Sequence, residues 1–382
     1  MNIKTILILI LITAPFKVYG NFLKLNTPAK QVILYDHEIK KVLYEKNSNA
    51  LMKPASMAKI MTAYIVFDRL QEGSLSLDDK FIVSKKAWRK GGSRTFLKLN
   101  SEVTIRDLLM GLIVQSGNDA AIVLAEGISG SEEDFALQMN QYAQSLEMNN
   151  TFFTNSTGWP HEDLKTTAYD LLILTEGLIK NFPELYKLFL EKEFTFNNIS
   201  QPNRNPLLIG RYKVPGADGL KTGHTNESGY GLIGSVVRKN RRISLVVNGL
   251  DSMRQRGKES KRLIEFAFRE TFLLRAFHNN NILGTANVWL GNKSKINLIA
   301  EKPFKTIVKR SSLRMIKTTL LWNDPVKAPV KIGQIIGTIN INIPGRNTLI
   351  LNLVSKDYVG GLGPIDKIKS AINYLIFGGD LY

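Results

Sequence analysis

Residues 54–59 read Pro-Ala-Ser-Met-Ala-Lys, and they open a segment whose apolar residues recur with a helical period. Pro54 suits the first turn of a helix, because its missing N–H has no intrahelical partner there. The apolar positions that follow are Ile60, Met61, Tyr64, Ile65 and Phe67. The sequence therefore predicts a buried helix that carries Ser56 and Lys59 at its beginning.

The spacing of Ser56 and Lys59 predicts that a hydroxyl and an amine meet on one face of this helix. A serine hydroxyl is a poor nucleophile until a base takes its proton. A lysine is such a base only where burial or a nearby positive charge keeps part of it neutral. This pair also occurs by chance in many helices, so it needs support from elsewhere in the chain.

A second motif, Ser116-Gly117-Asn118, follows a helix predicted from Thr104 to about Val114. A loop at this point aims a hydroxyl and an amide into a cleft. Ser116 is suited to relay a proton to a leaving amine, and Asn118 is suited to hold a substrate amide. The alternative is ordinary turn chemistry.

A third motif, Lys221-Thr222-Gly223-His224, lies on a predicted strand. Lys221 and the hydroxyl of Thr222 suit a substrate carboxylate. Gly223 has no side chain and allows a ligand backbone to approach the strand closely. The alternative is an edge strand that a lysine protects from aggregation.

The remaining pattern predicts strands at both ends of a largely helical middle, which is typical of an α+β domain. Further helices are predicted over residues 119–148, 166–180 and 256–276, and strands over 31–35, 41–44, 231–237 and 243–247. After residue 279 short β-prone runs, punctuated by Gly and Pro, indicate a small all-β domain that ends near residue 356. These runs are residues 286–290, 305–308, 317–321 and 335–339.

The last twenty residues predict an amphipathic helix over 364–378, after the Gly-rich stretch that begins at Gly360. Its apolar face comprises Ile365, Ile368, Ile372, Leu375 and Ile376. Such a helix lies in the interface of a membrane, here an anionic one, or docks on the protein's own surface. The first of these is the prediction, because the helix follows a Gly-rich spacer and ends the chain.

The composition favours a folded protein of two domains with anionic partners. The chain has 382 residues, of which 44% are hydrophobic, and a formal net charge of +18. That charge suits nucleic acid, acidic lipid or an acidic polymer alike. The absence of cysteine excludes a thiol nucleophile, disulfides and a cysteine zinc site. The four histidines show no metal-ligand spacing, and no metal or other cofactor is expected.

Residues 1–20 show the three-part pattern of a secretory signal. Lys4 precedes an apolar run over residues 6–14, and Val18-Tyr19-Gly20 offers a cleavage site. The run is too short for a spanning helix, which needs about 20 residues; an uncleaved anchor is the alternative. We expect an exported protein, attached peripherally to the outer face of the cytoplasmic membrane, and export argues against nucleic acid as the partner.

The order Ser-x-x-Lys, Ser-x-Asn, Lys-Thr-Gly makes the three motifs specific together. With them, the sequence resembles the low-molecular-mass D-alanyl-D-alanine carboxypeptidases among the penicillin-binding proteins, and the resemblance covers nearly the whole chain. It implies an antiparallel sheet flanked by helices with a helical subdomain, as in β-lactamases and transpeptidases. The implied domains are a signal (1–20), a catalytic domain (21–278), a β-rich domain (279–356) and a terminal amphipathic helix (364–378).

The resemblance also implies a mechanism on the stem peptide of peptidoglycan. Ser56 attacks the carbonyl between two D-alanines, with Lys59 as the base, and the oxyanion lies between the backbone N–H groups of Ser56 and His224. Ser116 helps to pass a proton to the departing D-alanine. Lys221 and Thr222 hold the terminal carboxylate, and water releases the acyl-enzyme. Penicillins and other β-lactams acylate the same serine and leave slowly.

Several alternatives remain at this point. A class A β-lactamase needs a loop glutamate, for which Glu162 is the nearest candidate although its context does not match. A D,D-endopeptidase shares the chemistry, and a non-catalytic wall-binding protein would share only the fold. For His224 a role of the imidazole is disfavoured, because the family feature is its backbone position. Arg256 either steadies the carboxylate site or forms a salt bridge on a helix surface.

Overall fold

The computed structural model describes residues 22–278 and 281–377 and divides into two compact units. The signal predicted over residues 1–20 lies outside the described residues. The first unit contains residues 22–36, Lys41–Val237 and Arg242–Lys261. The second contains His37–Lys40, Arg238–Arg241 and the described residues from Arg262 onward.

The first unit is built on a five-stranded sheet with its last strand in sequence at the centre. The strands in chain order are β1 (Gln31–Asp36), β2 (Lys41–Lys46), β3 (Lys80–Ile82), β4 (Glu102–Thr104), β5 (Glu193–Phe196), β6 (Ile199–Pro202), β7 (Ala217–Thr225), β8 (Gly229–Arg238) and β9 (Arg241–Leu250). The order in the large sheet is β2-β1-β9-β8-β7, with antiparallel pairs β1–β2, β1–β9 and β7–β8. The strands predicted over 31–35 and 41–44, and the predicted return of strands after the helical middle, are confirmed.

Helices fill the middle of the chain, as predicted, but two of the predicted helices have other bounds. The helices are α1 (Lys59–Gln71), α2 (Lys85–Arg89), α3 (Ile105–Val114), α4 (Asn118–Ser129), α5 (Glu132–Ser145), α6 (Ala168–Asn181) and α7 (Met253–Glu270). The single helix predicted over 119–148 is wrong. Gly130 adopts a left-handed φ of 80° that ends α4, and Ser131 caps the N-terminus of α5 by accepting a hydrogen bond from Asp134 N.

Burial explains why α1 lies at the centre of the first unit. Its residues from Lys59 to Phe67 are all buried, and they join one continuous core with apolar residues of α3, α4, α5 and α6. The hydrophobic effect is the main force that holds such a helix in place. Lys59 therefore begins a helix whose surroundings are almost entirely apolar.

The second unit contains a six-stranded sheet and a two-stranded one. Its strands are β10 (Thr271–Ala276), β11 (Gly284–Trp289), β12 (Lys295–Ala300), β13 (Phe304–Lys309), β14 (Lys317–Trp322), β15 (Val326–Lys327), β16 (Ile335–Asn342) and β17 (Leu349–Ser355). The larger sheet has the order β14-β16-β17-β12-β11-β15. The helix predicted over 256–276 is too long, because its last residues pair with β13 as strand β10. The four predicted β-prone runs coincide with β11, β13, β14 and β16, although the first extends to Leu290, one residue beyond β11.

The chain as described ends in α8 (Pro364–Phe377). Four isoleucines of the predicted apolar face, Ile365, Ile368, Ile372 and Ile376, are exposed. No helix within residues 22–278 and 281–377 is both long and apolar enough to cross a membrane.

Candidate active site

Ser56 lies in a short 3-10 turn (Ala55–Ala58) that leads directly into α1. The predicted helix thus begins one turn later than expected, but the relation of the two side chains is kept. In a 3-10 turn residues three apart lie above one another, so Ser56 and Lys59 share a face. Ser56 is partly exposed, whereas Lys59 is buried.

Lys59 makes three polar contacts, all with uncharged oxygens. Its Nζ lies 3.1 Å from Ser56 Oγ, 2.7 Å from Asn118 Oδ1 and 2.6 Å from the main-chain oxygen of Thr157. The amide and carbonyl oxygens only accept hydrogen bonds, whereas the serine hydroxyl also donates. A neutral amine has two hydrogens and one lone pair. The two acceptors therefore take both hydrogens and leave the lone pair for the hydroxyl of Ser56.

The surroundings of Lys59 favour this neutral form. Burial, followed by the nearby charge of Arg204, lowers the pKa of Lys59 to about 7. Lys90 acts in the same direction, whereas the carboxylates of Asp119 and Glu132 oppose it. The lysine can therefore accept a proton near neutral pH, which an ordinary lysine cannot do.

The segment between α3 and α4 forms a second wall around this lysine. Ser116 has a left-handed φ of 61°, and its Oγ is buried without a hydrogen-bond partner among the described residues. Asn118 uses both ends of its amide, since Oδ1 accepts from Lys59 and Nδ2 donates to Gly91 O at 2.8 Å. The amide is thus fixed, and the hydroxyl of Ser116 is free to meet a ligand.

Strand β7 forms the opposite wall at the edge of the sheet. Lys221 and Thr222 are both buried on it, and burial together with Lys59, Arg204 and Arg256 lowers the pKa of Lys221 well below its usual value. An edge strand presents backbone groups that an extended peptide can pair with.

Gly223 brings this wall close to the Ser56 segment. A Cβ on Gly223 would lie 2.8 Å from Pro54 O, and one on the paired Gly231 would lie 2.7 Å from Met57 Cε. The sequence assigned Gly223 to the approach of a ligand. In the fold its bare Cα also makes room for the segment that carries Ser56.

Beyond Gly223, His224 is exposed and its ring is already engaged. The imidazole stacks on Tyr230 with centroids 3.7 Å apart, and its Nδ1 lies 3.2 Å from Gly229 O. The guanidinium of Arg256 lies 5.7 Å from the centroid of the same tyrosine ring. Its Nε is buried without a partner among the residues described, and burial lowers its pKa to about 10.

The family model for D-alanyl-D-alanine carboxypeptidase matches residues 22–252, which include every group described above except Arg256. The chain belongs to the D-alanyl-D-alanine carboxypeptidase family. A second model, for the C-terminal domain of penicillin-binding protein 5, matches residues 274–360. The protein is a serine-type D-Ala-D-Ala carboxypeptidase, and the resemblance inferred from its three motifs is confirmed.

Similar proteins span most of this carboxypeptidase. DacC of Escherichia coli K12, a D-alanyl-D-alanine carboxypeptidase, is 38% identical over 84% of this chain and 82% of its own. Penicillin-binding protein 5 from Haemophilus influenzae has a TM-score of 0.69 at 33% identity and covers 88% of this chain and 99% of its own. Penicillin-binding protein D2 from Listeria monocytogenes, solved in an ampicillin-bound form, has a TM-score of 0.59 at 29% identity, over 64% and 99%.

Two groups that act on Lys59 lie outside the three sequence motifs. The first is the main-chain oxygen of Thr157, which lies in the stretch Asn155-Ser156-Thr157-Gly158; this stretch resembles a family pattern less specifically, but it does not indicate which backbone atom contacts Lys59. The second is Arg204, whose charge lowers the pKa values of Lys59 and Lys221. A signal for Arg204 existed, because it stands between Asn203 and Asn205, whose side chains accept hydrogen bonds from backbone N–H groups two residues on and fix the loop.

Proposed function

We propose that Ser56 is the nucleophile and Lys59 the general base of this carboxypeptidase, acting on the stem pentapeptide of peptidoglycan. Ser56 Oγ forms a bond to the carbonyl carbon between the two D-alanines as its proton moves to Lys59 Nζ. The oxyanion is held by the backbone N–H groups of Ser56 and His224. The single observation that carries the proposal is the arrangement around Lys59, in which both hydrogens of a neutral amine are taken and the lone pair is left to Ser56.

The C–N bond then breaks, and the proton on Lys59 reaches the departing D-alanine through Ser116. The unpartnered hydroxyl of Ser116 supports this relay, because it is free to donate and accept at once. Asn118 binds an amide of the substrate peptide and also keeps its hydrogen bond with Lys59. Water then attacks the ester at Ser56 as one of its protons moves to Lys59. The ester C–O bond breaks, Lys59 passes this proton to Ser56 Oγ, and the shortened peptide leaves.

The terminal carboxylate is bound by Lys221 and Thr222, with Arg204 and Arg256 as further cations. This assignment is supported by the lowered pKa of Lys221, which burial and the charges of Lys59, Arg204 and Arg256 cause and which a bound anion would raise again. His224 contributes its backbone, since its ring is stacked on Tyr230. Catalysis is assigned to the domain over residues 21–278, and none of it to residues 279–356.

β-Lactams acylate the same serine. The ampicillin-bound relative supports this extension, and no observation favours a β-lactamase. Glu162, the candidate for a deacylating glutamate, is exposed, and its main-chain oxygen accepts a hydrogen bond from Lys53 at 2.6 Å.

The decisive experiment is intact-mass analysis after incubation with penicillin, on the wild type and on Ser56→Ala. We expect one adduct on the wild type and none on the variant. An adduct on folded Ser56→Ala, or no adduct on folded wild type, would overturn the assignment.

We also propose that the protein is exported and attached to an anionic membrane surface through α8. The exposed isoleucines on one face of α8 and the net charge of +18 support this attachment. Deletion of residues 364–382 should release the protein from anionic vesicles and leave its activity on soluble peptides unchanged. Replacing Ile368 and Ile372 together by Ser should weaken binding in the same direction. Vesicle binding that survives both changes would contradict the proposal.

A further inference from the structure

The main-chain oxygen of Thr157, which accepts from Lys59, belongs to a turn of residues 155–159 that is fixed to α1 and whose middle residues, 156–158, are buried. Two successive carbonyls of this turn accept from α1. Ser156 O accepts from Thr62 Oγ1 at 2.7 Å, and Thr157 O accepts from Lys59 Nζ at 2.6 Å. The position of this turn therefore decides where the Lys59 amine points.

Close packing limits how far the turn can move toward the nucleophile. Gly158 has a left-handed φ of 75°, and a Cβ there would lie 1.8 Å from Ala55 O. The backbone of the turn is thus already in contact with the segment that carries Ser56. A side chain that binds the turn from its other side therefore fixes the distance between the Thr157 carbonyl and Lys59.

Glu132, the first residue of α5, has such a side chain. Glu132 is buried, with 7% of its side chain exposed, and its Oε1 accepts from both Ser156 N at 3.2 Å and Ser156 Oγ at 2.8 Å. Its Oε2 forms an ion pair with Lys86 Nζ at 3.1 Å. The carboxylate is held by a cation on one side and holds the turn on the other.

We propose that Glu132 is a positioning residue for the general base, which fixes the turn at Ser156 so that the Thr157 carbonyl orients Lys59, and which acts on Lys59 through its negative charge. The inference rests on the proposed role of Lys59. Glu132 has no part in the three motifs and touches neither Ser56 nor Lys59.

The two effects of Glu132 are separable because they depend on different atoms. Orientation depends on the acceptor Oε1, which a glutamine retains. The electrostatic effect depends on the charge, which a glutamine lacks. Among the described residues, the groups hydrogen-bonded to Lys59 are Asn118, Thr157 and Ser56. The charged groups that interact with it electrostatically are the cations Arg204, Lys90 and Lys221 and the carboxylates Asp119 and Glu132.

The charge is tested by the pH dependence of penicillin acylation in Glu132→Gln. A carboxylate favours the ammonium form of Lys59, so its loss should lower the pKa of Lys59 and move the acidic limb of the rate to lower pH. We expect a shift of about half a pH unit or more, with the plateau at high pH within about threefold of wild type. A purely structural effect would lower the rate at every pH and leave the limb in place.

The matched control is Glu133→Gln. Glu133 is the next residue and also pairs with Lys86, at 2.8 Å, but 77% of its side chain is exposed and its carboxylate is not hydrogen-bonded to the turn. Solvent screens its charge, so the acidic limb should stay where it is in wild type. A limb that moves equally in both glutamine variants would overturn the proposal.

The orientation is tested by Ser156→Ala, which removes the hydroxyl bond to Glu132 and keeps the charge. We expect a plateau about tenfold lower, since a buried acceptor loses one of its hydrogen bonds, and an unmoved limb. If thermal unfolding shows that Glu132→Gln is not folded, the test rests on Ser156→Ala alone. A plateau rate of Ser156→Ala equal to that of wild type would overturn the proposal.

Failure of this inference differs from failure of the proposed function. If Glu132 has no role, wild type still gives the Ser56 adduct, and only the variants of Glu132 and Ser156 resemble Glu133→Gln. If Lys59 is not the base, wild type itself shows no acidic limb near pH 7.

Discussion

Two buried lysines face the same cleft from opposite walls, and they differ in how they are held. Lys59, at the start of α1, has three oxygen partners between 2.6 and 3.1 Å. Lys221, on the edge strand β7, reaches only the neighbouring Thr222 O, at 3.4 Å, within the described part of the chain. Burial lowers the pKa of both lysines.

The difference in hydrogen bonding suits the two lysines to different roles. In its neutral form Lys59 donates both amine hydrogens to oxygen acceptors, so its lone pair points to Ser56. Its surroundings in the protein set its pKa. Among the described residues Lys221 has no anionic partner, and it lies near Lys59, Arg204 and Arg256, so its charged form is costly until an anion binds. These differences are the reason why we propose the first lysine for proton transfer and the second for binding a carboxylate.

Removal of the base should give the largest effect. Lys59→Gln leaves a side chain that cannot take the Ser56 proton, so penicillin acylation should fall by about 10²–10⁴-fold. The measurement is the rate of adduct formation, with folding checked by thermal unfolding. A folded Lys59→Gln protein with a wild-type acylation rate would remove the distinction between the two lysines.

Loss of the binding lysine should be smaller and selective. Lys221→Gln should lower kcat/KM for a peptide that ends in a free D-Ala carboxylate by about 10–100-fold, the value of a charged hydrogen bond. The same peptide with a C-terminal amide serves as the matched control, and its hydrolysis should change much less. Equal decreases in kcat/KM for both peptides would show that Lys221 does not bind the carboxylate.

A shift in pH dependence should be the smallest effect. With the pKa of Lys59 at about 7, the wild-type acylation rate should fall tenfold per pH unit below that value, because the protonated amine cannot accept a proton. Arg204→Gln removes a neighbouring positive charge, so the pKa should rise and the acidic limb should move to higher pH.

Arg211→Gln provides the reference for that shift, since Arg211 is an exposed arginine of the same unit. It should leave the limb of the wild type unchanged. A limb in Arg204→Gln that coincides with that of Arg211→Gln would exclude Arg204 from the electrostatic control of Lys59.

The parts of the site that local sequence could predict are those in which one short segment carries its own geometry. Ser56 and Lys59 are three residues apart, and this fixes their common face in a 3-10 turn as well as in an α-helix. The start of α3 followed from Thr104, whose hydroxyl accepts from Asp107 N as an N-cap. Such relations do not depend on the rest of the fold.

The missed features depend on distant partners or on backbone atoms. The strand Thr271–Ala276 was assigned to a helix because only its pairing with Phe304–Lys309 makes it a strand. Arg204 reaches the site from a loop far from every motif, and Thr157 contributes a carbonyl that any residue has. Gly130 and Ser131, by contrast, are residues typical of a helix end and a helix start, and they indicated the break between α4 and α5. The break was not predicted because the apolar residues on both sides recur with a helical period.

The contact between Gly223 and Pro54 has a consequence for antibiotic resistance. A Cβ at this position meets a backbone oxygen at 2.8 Å, and backbone cannot rotate away as a side chain can. A variant that narrows the cleft here to exclude a drug must displace the strand from the serine and so lose the natural reaction too. Selection for resistance should therefore spare Gly223 and act on the exposed rim of the cleft.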